Sequence, residues 1–116
     1  MSKTNLLGAA RGVLLLVGLL ASFTPRAEDP ARVEVTIRDH RFVPSEIRVP
    51  AARPVVLEIT NEDPTAEEFD SRALKVEKVI AGGKSGTVRI RALEKGTYPF
   101  MGEYHQETAR GTVVAE

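Results

Sequence analysis

The chain has 116 residues, 42% of them hydrophobic, with sixteen Lys and Arg against sixteen Asp and Glu, two His and no Cys. The balanced charge gives no basic surplus for nucleic acid, and the lack of cysteine excludes disulfides, iron–sulfur clusters, zinc–cysteine sites and thiolate copper. The length suits one small domain with a modest core, so stability must come from packing, from bound metal, or from both.

The first 27 residues read as a targeting segment. Lys3 and Arg11 precede an apolar run from Val13 to Ala21, "VLLLVGLLA", after which "SFTPRAEDP" turns polar. A run of about nine residues is the core of a signal peptide and falls short of the ~20 needed to span a bilayer. A helical signal segment, residues 1–27, cut near Ala27, is therefore expected. "TPRA" departs from the small-x-small rule, so an uncleaved membrane anchor is the alternative. Cleavage removes Lys3, Arg11 and Arg26 and no acid, which leaves thirteen basic against sixteen acidic residues in the expected domain, 28–116.

From Arg32 onward apolar and polar residues alternate, the period of a half-buried strand. "RVEVTIR" puts Val33, Val35 and Ile37 on one face, and "SEIRV", "VVLEIT", "LKVEKV", "TVRIR", "TYPFM" and "GTVVA" repeat the pattern. Turn chemistry separates them: Pro44, "PAARP", "NEDPT", "AGGKSG", "LEKG" and Gly111. The reading is all-β, a Greek-key β-sandwich of about seven strands, with no helix of useful length in the domain. "AGGKSG" resembles a hairpin turn. The longest interruption, "NEDPTAEEFDSRA", carries Glu62, Asp63, Glu67, Glu68 and Asp70. Its plainest reading is a solvated loop, but Phe69 among the carboxylates suggests that the segment folds back onto the core.

Imidazole and carboxylate are the strong metal ligands left to this chain, so any metal site is oxygen-rich and suits iron, copper(II), manganese or zinc. In "YPFMGEYHQETARG", Glu103 and His105 point to one side if the chain is extended, while Glu67 and Phe69 alternate with Glu68 and Asp70. The two segments would clasp an ion if they meet at one end of the sandwich. A polar turn is the competing reading. Catalysis has less to stand on: Ser71 and Ser85 lie in no GxSxG context, "AGGKSG" opens no helix, and a small sandwich offers no evident sugar cleft or small-molecule substrate site.

The order of motifs resembles the cupredoxin family across the whole exported chain. The marks are FxPxxIxV from Phe42 to Val49, the strand ending in Asn61, and GxYxF from Gly96 to Phe100, leading into a ligand loop. The resemblance implies a Greek-key sandwich with a metal site at one end. Carried over residue by residue, the family's first copper histidine falls on Glu67, its cysteine on Gly102, its second histidine on His105 and its axial methionine on Arg110. One ligand of the four survives, so no type 1 blue copper centre is expected. Gly102 would leave room where the sulfur would be.

"TAEEFDS", "VEKVIAGG" and "GEYHQETARG" are similar to the cupredoxin-like proteins that accompany bacterial high-affinity iron permeases. That likeness implies a periplasmic accessory binding iron or copper, with a membrane iron permease and other periplasmic iron-uptake components as partners and ferroxidase turnover as a minor possibility. It nominates Glu67, Glu68, Glu103 and His105 as core ligands, with Asp70, Glu77 and His40 in support. Replacing soft sulfur by hard carboxylates shifts preference toward iron and Cu(II), and crowded carboxylates should raise at least one pKa. The alternative function is a sandwich that binds no metal and docks on a permease or another periplasmic protein.

Overall fold

A computed structural model of the chain describes Gly18 and residues 29–116. The expected signal segment lies outside the described residues apart from Gly18. Nine strands follow: β1 (Ala31–Arg38), β2 (Arg41–Val43), β3 (Glu46–Val49), β4 (Val55–Asn61), β5 (Glu67–Ser71), β6 (Val76–Ile80), β7 (Ser85–Ile90), β8 (Gly96–Gly102) and β9 (Arg110–Ala115). They form a four-stranded sheet, β2-β1-β4-β7, and a five-stranded sheet, β3-β9-β8-β5-β6. Each sheet contains one parallel pair, β1 with β4 and β3 with β9.

The seven expected runs are present, and β2 and β5 are the two additions. β2 is three residues long, below the length at which alternation is readable. β5 lies within the segment read as an acidic loop: Glu67, Phe69 and Ser71 turn inward while Glu68 and Asp70 face out. Polar residues on both of its faces hide the period of two. The "AGGKSG" expectation is corrected, because β6 pairs with β5 and β7 with β4, so this turn passes between the sheets rather than closing a hairpin.

The inner faces bury Val35, Ile37, Ile47, Val55, Leu57, Ile59, Val88, Ile90 and Val113 in one core. At one end the core is aromatic. Phe42 meets Phe69 and Phe100 edge-on at centroid distances of 5.7 and 5.0 Å, and Phe69 stacks on Phe100 at 4.8 Å. Such pairs contribute about 0.5–1.5 kcal/mol each beyond area burial. These rings belong to β2, β5 and β8, and they fix three chemistry-bearing segments: the turn holding His40, the strand "EEFDS", and the loop after Phe100.

Candidate metal centre

His40 sits at the tip of the β1–β2 hairpin, beside Asp39, and both residues have positive φ (51° and 55°). A two-residue hairpin with two left-handed positions needs support when neither residue is glycine. Asp63 supplies it. Its carboxylate accepts the backbone N–H of Asp39 at 2.8 Å and of His40 at 2.9 Å. These backbone N–H donors, that of His40 first, hold the Asp63 carboxyl below its ordinary range. Asp63 is positioned in turn by Asn61, whose Oδ1 accepts the Asp63 N–H at 3.0 Å and whose Nδ2 donates to Thr65 O and Ile80 O. Among the candidate residues Asp63 is an omission: nothing in its sequence context separates it from the other acids of the segment.

After β8 the chain enters a short 3-10 turn, Glu103–His105. Three residues per turn carry positions i and i+2 to different sides, so Glu103 and His105 do not share a face as an extended chain would have them. The turn is closed by Ala109 N–H donating to His105 O and Gly102 N–H donating to Ala109 O, both 2.8 Å. Thr108 Oγ1 donates to His40 O at 2.7 Å and ties this loop to the β1–β2 hairpin.

The predicted ligands therefore divide into two groups. The inner group is Glu67, His105 and His40. Glu67 is 1% exposed. Its carboxylate accepts the N–H groups of Glu68 (3.1 Å) and Tyr104 (2.9 Å), and His105 Nδ1 lies 2.5 Å from its second oxygen. The His105 ring stacks on His40 with centroids 3.5 Å apart. The expected gap at Gly102 is filled: a Cβ there would stand 2.6 Å from Glu67 Cδ and 2.6 Å from Ala109 Cβ. Three of the four carried-over positions do converge, but the carboxylate that replaces histidine also takes the space that a Cys side chain at 102 would need. A buried carboxylate holding Nδ1 of a histidine is the arrangement that orients imidazole toward a ligand at Nε2.

The outer group is Glu68, Asp70 and Glu77, on the solvent face of the five-stranded sheet, with Glu103 at the start of the 3-10 turn after β8. Asp70 lies opposite Glu77 across β5 and β6, and Glu68 is two residues before Asp70 on the same face. Glu68, Glu77 and Glu103 each bring a carboxylate oxygen within 4.8 Å of the others. The carboxylate of Asp70 is the main influence that raises the Glu103 pKa, and the charges of Glu68 and Glu77 add to it. The raised carboxyl expected from crowding is thus found at Glu103. Among the described residues this is the one cluster of three or more such ligands, and its all-oxygen chemistry fits a hard cation.

Comparison with known proteins places this arrangement in context. The family model of the cupredoxin-like domain matches residues 12–115. The uncharacterized protein RP394 of Rickettsia prowazekii (strain Madrid E) is 39% identical over 82 residues, 71% of this chain; the match spans 66% of that protein's length. Two of the solved structures that share the fold illustrate the likeness. The metal-binding domain of the Cu(I)-exporting P-type ATPase CopA of Streptococcus pneumoniae D39 superposes with a TM-score of 0.67 at 13% identity, covering 78% of this chain and 91% of that one. Auracyanin A, a blue copper protein of Chloroflexus aurantiacus, gives 0.63 at 15% identity, covering 76% and 100%.

Proposed function

This chain belongs to the cupredoxin-like domain family, and from that premise we propose that it is a periplasmic metal-binding accessory of iron uptake. It holds an iron or copper ion on carboxylates and passes it to a membrane permease. The observation that carries the reading is the convergence of Glu68, Glu77 and Glu103 within 4.8 Å, with Asp70 beside them. Four like charges in one place are costly without a cation, and a bound ion would offset their repulsion. Carboxylate oxygens favour Fe(II), Fe(III) and Cu(II) over Cu(I). The copper proteins among the fold relatives support copper as one candidate, and the absence of cysteine separates this chain from their thiolate chemistry. His105 and His40, on the inner group, supply imidazole at the same end of the sandwich.

The test is titration of residues 28–116 with Cu(II), Fe(II) and Fe(III), followed calorimetrically and by thermal shift. Binding should weaken at least tenfold in Glu68→Gln/Glu77→Gln and should fall with pH as protons compete for the carboxylates. Binding no tighter than that of the double variant would end the proposal.

The second reading, a docking module that binds no metal, is favoured by Val79 and Tyr104, each 51% exposed beside these carboxylates. It predicts that Val79→Ser/Tyr104→Ser weakens a permease complex while Glu68→Gln does not change metal content.

A further inference from the structure

On the outer face of the five-stranded sheet, one row of residues crosses four strands. Glu77 of β6 lies opposite Asp70 of β5, Asp70 opposite Met101 of β8, and Met101 opposite Arg110 of β9. Directly opposed residues project to the same face, and neighbouring strands stand ~4.8 Å apart, so the row runs about 14 Å from carboxylate to guanidinium. Arg72, two residues beyond Asp70, lies just past the end of β5.

A cleft of about 580 Å³ opens beside this row, lined by Asp70, Arg72, Pro99, Met101, Glu103 and Arg110 among others. That volume lies within the usual ~300–1,000 Å³ of small-molecule sites and far exceeds what a bare ion needs. Among the described residues the Arg72 guanidinium makes no hydrogen bond or ion pair, and only its backbone carbonyl is engaged, by Lys75 N–H at 3.2 Å. Arg110 commits only Nε, which donates to Gln106 O at 2.6 Å, so its terminal nitrogens are available.

The lining has two signs. Carboxylates alone would suit a bare cation, and arginines alone a free anion. Asp70 and Glu103 repel a free anion, while Arg72 and Arg110 repel a bare cation. Both together, over a floor that includes Pro99 and Met101, match a particle carrying both signs. Guanidinium groups pair with planar carboxylates through two parallel N–H bonds.

We propose that this cleft receives the metal as its complex with a small polycarboxylate, the metal turned toward Asp70 and Glu103 and the anion's carboxylates on Arg72 and Arg110. The inference rests on the metal-binding reading above. It makes the protein an acceptor of chelated rather than free metal, with exchange of carboxylate ligands as the chemistry and no change in oxidation state.

The experiment compares three titrants against the purified protein: aquo Cu(II) in a non-coordinating buffer, equimolar Cu(II)–citrate, and citrate alone. The expected result is that copper and citrate co-elute with the protein at equal stoichiometry, while citrate alone binds at least tenfold more weakly. Arg72→Ala/Arg110→Ala should weaken Cu(II)–citrate about tenfold, with aquo Cu(II) unchanged or slightly tighter. Both arginines are exposed, and an unchanged circular dichroism spectrum verifies the fold of the variant. If aquo Cu(II) binds and citrate merely strips it away, equally in both proteins, this inference is overturned and the metal reading stands. If neither aquo Cu(II) nor Cu(II)–citrate binds, this inference is overturned, and the Fe(II) and Fe(III) titrations decide the metal reading.

Discussion

Glu67 and Glu68 are neighbours on one strand and could hardly be placed more differently. Glu67 is 1% exposed, accepts two backbone N–H groups and holds His105, whereas Glu68 looks outward toward Glu77 and Glu103. The strand's period of two makes the division. One carboxylate has become part of the architecture, while the next remains available to a ligand. A shared residue type in adjacent positions thus says little about role until the face is known.

The sharpest way to break this contrast is to truncate each side chain in turn. Glu67→Ala should cost about 3 kcal/mol, because it leaves a cavity and strips the acceptor from buried N–H groups. Glu68→Ala should stay within about 0.5 kcal/mol without metal. Urea denaturation of both variants measures the difference, and equal losses would contradict the division.

The inner group can be probed next through its supports. Asp63→Ala should cost about 2 kcal/mol by releasing the Asp39 and His40 N–H groups, and it should loosen the stack of His40 on His105. Its pH signature follows from a depressed folded pKa. The stabilisation is complete above the ordinary value of 3.8 and is lost as pH falls through the lower folded value. Wild type should therefore lose stability below about pH 4 more steeply than Asp63→Asn, as acid titration followed by fluorescence or circular dichroism would show.

Gly102→Ala tests the filled gap directly. Its Cβ would meet Glu67 Cδ and Ala109 Cβ at 2.6 Å, and overpacking of this kind costs about 1–2 kcal/mol. In Gly102→Ala/Glu67→Ala the two effects should not add, since the second change vacates the space that the first requires.

The smallest effect belongs to the outer group. Glu103 has a raised folded pKa, so the folded state holds a proton longer than the unfolded chain does, and stability declines as pH rises from the ordinary 4.5 through the raised value. Glu103→Gln should remove that decline and leave the protein slightly more stable at neutral pH. A thermal-melt series across pH 4 to 8 reads it, and a steeper decline in the variant would contradict the assigned repulsion.

Much of this was readable before any coordinates. Alternation marked seven strands, the motifs FxPxxIxV and GxYxF carried the family resemblance, and Phe69 among carboxylates marked a segment that returns to the core. β5 was hidden because Glu67 occupies a core position that a period-of-two pattern reserves for apolar residues. Glu103 and His105 were separated by a 3-10 turn, which three residues cannot announce. Asp63 gave no signal beyond being one acid among several, and Arg110 stood out only as the position of a lost ligand, as the surroundings of both depend on strands distant in sequence.

What the sequence by itself determined is the alternation that makes two sheets, the exclusion of thiolate chemistry, and the supply of carboxylates with two histidines. Those follow from local period and residue type. Which carboxylate is buried, what fills the space beside Gly102, and which acids share a face with Arg110 were decided only by tertiary structure. The reason is that each depends on register between strands distant in sequence, as between Asp70 and Met101, 31 positions apart. A shift of one residue in that register would turn every one of those side chains to the other face.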